Sequence, residues 1–313
     1  MKKSLQSKVV LLIAGYWLLV ATLYGCQNQQ LYKDSQLLMG TVVEVISPNK
    51  QAADIVFNEI KRIESLLSYY NDESEIYQLN KQGRLKVSPE TLFVFKRAGD
   101  FWEETQGAFD ITIAPLVELW GFYDKDYQVP DDFQIKEIMD LIGFDKVRIN
   151  DNIIKFEAGD IKIDLGAIAK GFAIDCAVKK LRLAGINNAL LNAGGDIYCL
   201  GDKFGRPWRV AIKSGGTADF SGYLQLKDRA VATSGDYEQY FLVNKVRYCH
   251  ILNPKTGKPA DSGVVSVSVI ANDCLTADAL ATSIFVLGKK KGMELAKRFN
   301  AEVRIIEDVQ NNQ

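Results

Sequence analysis

Asp278 and Thr282 lie four residues apart in Thr276-Ala-Asp-Ala-Leu-Ala-Thr282, within an otherwise apolar run. If that run is helical, the two side chains share a face and stand close together. A carboxylate and a hydroxyl held this way form a hard-oxygen site suited to Mg²⁺, which takes one or two carboxylates and shares phosphate oxygens with a substrate. Aspartate is disfavoured in helix interiors because its carboxylate competes for backbone partners. A plainer reading also stands, with Asp278 near a helix N-terminus favoured by the dipole and Thr282 packed as a small residue.

Three further segments carry chemistry of a compatible kind. Asp164-Leu-Gly-Ala-Ile-Ala-Lys-Gly171 sits where a strand is expected to turn into a helix. Free backbone N–H groups at that helix start, with the Lys170 cation, suit a phosphate, and a carbonyl in the turn could ligate a metal. An ordinary turn capped by Asp164 is the alternative. Asn192-Ala-Gly-Gly-Asp196 reads as a tight hairpin, or as backbone approaching a nucleotide. Cys249-His250-Ile-Leu-Asn-Pro-Lys-Thr-Gly257 holds the only histidine. His250 is either structural or a general base beside a turn set by Asn253-Pro254 and Thr256-Gly257. Pairing with Cys249 is geometrically poor, because neighbours on a strand face opposite ways. No G-x-G-x-x-G or Walker A motif is present.

Met39-Gly40-Thr41, Ser68-Tyr69-Tyr70 and Asp110-Ile111-Thr112 add a flexible apolar side chain, an aromatic wall and a carboxylate–hydroxyl pair. The elements that must position these groups follow from periodicity. Strands are expected over 40–46, 147–149, 153–156, 161–164, 188–191, 197–200, 208–212, 223–226, 230–233, 240–243, 264–270 and 302–306. Helices are expected over 51–69, from Pro89 to about Gly107, and over 131–141, 169–184 and 294–300, with another carrying Asp278. Strands that often run as hairpins, with several long helices, give an α+β fold, a single domain of mixed and largely antiparallel strands.

Composition bounds the rest. The 313 residues carry a net charge of −1 with no basic stripe, which argues against nucleic-acid binding. Met1 to Lys8 is basic, Val9 to Gly25 is apolar or small, and Cys26 follows. This reads as a signal peptide over residues 1–25. Leu23-Tyr24-Gly25-Cys26 resembles a bacterial lipobox, with Cys26 lipidated, although Tyr24 is bulky for it. Residues 26–36 read as a polar linker, 37–308 as the functional domain and 309–313 as a polar tail. The body is then expected outside the cytoplasm, tethered to a membrane. Cys176, Cys199, Cys249 and Cys274 fit no zinc spacing and are either disulfide-bonded or buried thiols.

The order of these segments is more specific than any one of them. Met39-Gly-Thr, Phe109-Asp-Ile-Thr-Ile-Ala-Pro-Leu116, Asp164 to Gly171, Asn192 to Asp196, Thr233-Ser-Gly235, His250 to Gly257 and Ala277-Asp-Ala-Leu-Ala-Thr282 together resemble the ApbE family. Its members are FAD:protein FMN transferases, often exported lipoproteins. The resemblance spans about Met39 to Ile306. It implies a metal held by the Ala167 carbonyl, Asp278 and Thr282. It also implies FAD contacts from Met39, Tyr70 (or Tyr69), Asp110, Ile111, Thr112, Asp164, Lys170 and Leu252. Asn253 and Ala167 are accepted variations on the family pattern.

The implied reaction is Mg²⁺-dependent. A threonine or serine hydroxyl of an acceptor flavoprotein attacks the FMN phosphorus of FAD and AMP leaves, with His250 as base. FAD is thus a substrate. A Mg²⁺-dependent FAD pyrophosphatase and a non-catalytic flavin-binding lipoprotein are the rivals.

Overall fold

The computed structural model describes residues 30–213 and 220–308. The signal peptide, Cys26 and residues 309–313 lie outside them. The chain opens with β1 (Tyr32–Leu38) and β2 (Thr41–Ser47), a hairpin in which Leu38 faces Thr41. The sheet therefore begins inside the stretch expected to be linker. All of β1 except Leu38 is exposed or half-buried, so its polar composition masks an edge strand. At the tip Met39 and Gly40 both have positive φ, as a two-residue primed turn requires.

Helix α1 (Ala52–Leu67) buries Ala52, Val56, Ile60, Ile63 and Leu67, one apolar stripe. Helix α2 (Glu75–Gln82) was not expected, because only Ile76 and Leu79 are buried in it. Its caps are nonetheless strong: the Ser74 hydroxyl accepts from Tyr77, and Gly83 closes it in the left-handed region. Next come β3 (Arg84–Lys86), α3 (Pro89–Glu104), α4 (Ala114–Leu119), α5 (Asp132–Met139) and the hairpin β4 (Val147–Asn150) and β5 (Ile153–Phe156). Residues 161–164 do not form the expected strand. The side-chain amide of Asn80 takes a strand's place, accepting from Ile163 N at 2.7 Å and donating to Ile163 O at 2.9 Å. The Ile163 main-chain groups are thus satisfied without a ladder.

Helix α6 (Ala169–Leu183) leads to β6 (Ala189–Ala193), β7 (Asp196–Leu200), β8 (Trp208–Lys213), β9 (Phe220–Leu226), β10 (Arg229–Gly235), β11 (Tyr240–Val243), β12 (Val246–Cys249) and β13 (Val264–Ala271). Helices α7 (Cys274–Leu287) and α8 (Lys289–Arg298) and strand β14 (Glu302–Glu307) close the fold. The main sheet has the order β1-β2-β6-β7-β10-β13-β14, with every neighbouring pair antiparallel. β8–β9 and β11–β12 are separate two-stranded ribbons, so the expected antiparallel series divides between sheets.

Helix α1 packs on β1 and β2, α6 on α1, β6 and β7, and α7 on α6, β7, β10 and β13. Almost every side chain of α7 is buried, as an all-round apolar helix demands. Against this main core stands a smaller one of Leu116, Trp120, Phe122, Ile135, Ile142, Phe241 and Leu252. Ile251 belongs to the first core and Leu252 to the second, so the histidine turn bridges them. The four cysteines of the described residues are free thiols. Burial pushes Cys176 and Cys199 up to about 12 and Cys249 to about 11, leaving them protonated and inert.

Candidate active site

A cavity of about 490 Å³ opens between the two cores. The Met39–Gly40 turn, the Tyr69–Tyr70 segment, the Asp164–Lys170 turn, the end of β10, the His250–Leu252 segment and helix α7 all contribute to its wall. Eleven of the residues expected to form the site reach it: Met39, Tyr70, Asp110, Ile111, Asp164, Ala167, Lys170, His250, Leu252, Asp278 and Thr282.

One end is charged. Asp278 is buried, and its Oδ2 accepts from the Gly171 N–H at 3.1 Å. Lys170 Nζ lies 3.0 Å from Asp196 Oδ2 and 3.7 Å from Asp278 Oδ2. Burial, then the charge of Asp196, hold the Asp278 carboxyl above its ordinary range, against the pull of Lys170 and the Gly171 amide. Burial alone would lower the Lys170 ammonium, but Asp196 and Asp278 outweigh it and keep it charged. Asp196 Oδ2 is fully enclosed and accepts no hydrogen bond of good geometry among the described residues. Two buried carboxylates thus share one ammonium. That surplus of negative oxygen, with the Thr282 hydroxyl 3.2 Å from Ser234 Oγ and the Ala167 carbonyl turn nearby on the wall, fits a hard divalent cation. Asp278 and Thr282 sit at i and i+4 of α7, as their spacing requires.

The turn before α6 differs from expectation. Its N–H groups were to be free for phosphate, but Gly166 donates to Asp164 Oδ1, Ile168 and Ala169 donate to Leu165 O, and Gly171 donates to Asp278. At this end of the cavity the cation is the Lys170 side chain.

His250 is held at Nδ1, 3.0 Å from the carbonyl oxygen of Gln239. A carbonyl only accepts, so Nδ1 carries the proton and neutral Nε2 presents a lone pair. Burial lowers the imidazole's proton affinity, which the Gln239 carbonyl only partly offsets. This is the state a general base needs. Below the ring, Trp120 Nε1 donates to Gly257 O at 2.8 Å, and Gly257 donates to Asn253 O at 2.9 Å, fixing the turn that was read from Asn253 to Gly257.

An aromatic group forms the far wall. Tyr69 stacks on Tyr123 at 4.2 Å between centroids, and Tyr70 meets both edge-on. The Tyr123 hydroxyl donates to Asp164 Oδ2, and the Tyr69 hydroxyl to Glu118, itself paired with Lys162 at 2.8 Å. Tyr70 is 69% exposed, leaving its ring available to a flat ligand, whereas Tyr69 is committed. Met39 keeps its left-handed backbone by donating its N–H to Glu64 Oε1 at 2.7 Å.

Thr112, between the wall residues Ile111 and Ile113, is itself fully buried and does not line the cavity; its hydroxyl donates to Asp110 Oδ1 at 2.6 Å and accepts from the Gly143 N–H at 2.8 Å. Asp110 Oδ2 accepts from Phe144 N at 3.1 Å, so this pair builds the turn beneath the cavity. Asp196, Tyr123, Ser234, Glu238 and Gln239 line the cavity and were not singled out as site residues. Asp196 ended the glycine hairpin motif and Ser234 stood in Thr233-Ser-Gly235, so both could have been found there. Tyr123 carried no periodic signal.

A model described as the ApbE family matches residues 39–306. An FAD:protein FMN transferase of Vibrio cholerae is 35% identical over 255 residues, covering 79% of this chain and 76% of the relative. One from Treponema pallidum is 33% identical, covering 86% and 82%. Among solved structures, the ApbE protein of Thermotoga maritima superposes with a TM-score of 0.83 at 37% identity, covering 89% of this chain and 94% of that one. The flavin transferase ApbE of Vibrio cholerae gives 0.81 at 31%, covering 90% and 95%. The chain belongs to the ApbE family.

Proposed function

We propose that this protein is an FAD:protein FMN transferase, moving FMN from FAD to a threonine or serine hydroxyl of an acceptor protein. The observation that carries this is one cavity with a charged end at Lys170, Asp196 and Asp278 and a neutral imidazole whose Nε2 is free to accept a proton. A flavin redox enzyme needs neither. Tyr70 and Met39 offer the surfaces for the flat rings, and Lys170 the charge for the pyrophosphate.

In the reaction, the acceptor hydroxyl gives its proton to His250 Nε2 as its oxygen bonds to the FMN phosphorus. The phosphorus–oxygen bond to AMP breaks, and AMP leaves with the electron pair. Ala167, through its carbonyl, Asp278 and Thr282 would hold Mg²⁺, which neutralises charge on the pyrophosphate oxygens. Lys170 keeps Asp278 oriented and adds a cation at the same end.

The reading extends to a lipid anchor at Cys26 and a place outside the cytoplasm, on the sequence of residues 1–26. Replacing Cys26 by serine should abolish incorporation of labelled palmitate. For the activity, the full chain is incubated with FAD, Mg²⁺ and threonine-bearing acceptors. Flavin joined to the acceptor through a phosphoester supports transfer; free FMN with AMP and no labelled acceptor would assign hydrolysis; bound but unchanged FAD would leave only a binding protein.

A further inference from the structure

A second cavity, of about 540 Å³, adjoins the first and shares with it Gly40, Tyr70, Phe122, Tyr123, Glu238 and Gln239. Lys125, Tyr127 and Tyr240 line only the second. We infer that this outer groove docks an extended, hydroxyl-bearing segment of the acceptor protein; the inference rests on the transferase reading above.

Position is the first reason. Gln239, whose carbonyl fixes His250, and Phe122, whose ring centroid lies 6.5 Å from that of the imidazole, both belong to the groove wall. A chain lying there leads into the first cavity, whose wall carries His250. Rigidity is the second. Gln239 Nε2 donates to Phe122 O at 3.2 Å, and Tyr127 stacks on Phe241 at 5.0 Å, so the two walls are tied before anything binds. Such preorganisation spares part of the ordering cost of binding.

The lining suits a polypeptide. Tyr240, which lines only the second cavity, exposes 40% of its surface. Tyrosines at a protein interface give apolar area with a polar tip. Lys125 on the groove wall offers a cation to a polar segment. Strand β11, which begins at Tyr240, pairs with β12 alone among the described residues, so its outer edge can receive an added strand.

The test uses the full chain with FAD, Mg²⁺ and a library of short synthetic peptides, each with one central threonine. Wild type should label a subset of peptides with FMN. Tyr240→Ala and Lys125→Glu should raise the peptide KM about tenfold while FAD affinity and turnover at saturating peptide stay unchanged. Unchanged peptide KM in both variants overturns the groove. Lost FAD affinity in either variant overturns it too, by assigning the groove to the dinucleotide. A wild type that binds FAD but labels no peptide contradicts recognition of an extended segment. A wild type that binds no FAD fails the transferase reading itself.

Discussion

The Gly171 N–H donates to Asp278 Oδ2 over 3.1 Å, so the first turn of α6 holds the carboxylate presented by α7. The contact requires glycine. A Cβ at position 171 would stand 2.4 Å from the Cys274 carbonyl oxygen and 2.7 Å from Leu275 Cα, backbone atoms that cannot swing aside. Gly171→Ala should therefore force the helices apart, cost about 1–3 kcal/mol of stability and move Asp278 off its partner. Chemical denaturation measures the first effect and the Mg²⁺ dependence of turnover the second. A variant of wild-type stability with unaltered Mg²⁺ dependence would deny the contact its role.

Lys170 neutralises two buried carboxylates, so its loss strands both. Lys170→Met in the metal-free protein should lower stability by about 3 kcal/mol. Asp196→Asn added to it should restore part of that, because one uncompensated charge is gone. Strict additivity in this double-mutant cycle would show the pair is uncoupled.

For His250 the sign follows from burial. The folded state disfavours the imidazolium, so the ring titrates below its ordinary 6.5 and is neutral at pH 7. Transfer should be independent of this group from neutral pH upward and fall along an acid limb that lies below pH 6.5. The same depression makes stability from His250 fully present above pH 6.5 and lost as pH falls. His250→Ala should cut turnover about 100-fold or more while FAD affinity is retained. A variant that loses FAD binding and keeps turnover at saturation would remove His250 from the base role.

Asp175 anchors the same helix from outside the cavity. Its two carboxylate oxygens accept from Cys274 N at 2.8 Å and Leu275 N at 2.9 Å, while Asp273 accepts from Thr276 N at 2.8 Å. Asp175→Ala leaves two buried N–H groups of α7 without acceptors and should cost about 2–4 kcal/mol. Equilibrium unfolding reads this; a loss below about 0.5 kcal/mol would mean water replaces the carboxylate.

What was legible from the chain follows physical lines. The Asp278–Thr282 pair could be read because a helix repeats its face every three to four residues, and the α7 run is apolar throughout. Strands β6 and β7 were readable from Gly194 and Gly195, both at positive φ. Helix α2 and strand β1 were not, since each buries few side chains and so leaves little periodicity. Asp196 joined Lys170 and Asp278 only through the fold, since no local pattern relates the ends of β7, α6 and α7. The Asp110-Ile-Thr112 segment could not reveal that the Thr112 hydroxyl is spent on Asp110 and Gly143, because a carboxylate–hydroxyl pair looks the same whether it faces a ligand or caps a turn.

The most direct test of the whole account counts two products of one reaction. The full chain, FAD, Mg²⁺ and threonine peptides are incubated together, and AMP and peptide-bound FMN are quantified. Wild type should release AMP in equal amount to the FMN attached to peptide, and Asp278→Asn should give neither. AMP appearing with free FMN and unlabelled peptide, or full Mg²⁺-dependent transfer by Asp278→Asn, would contradict it.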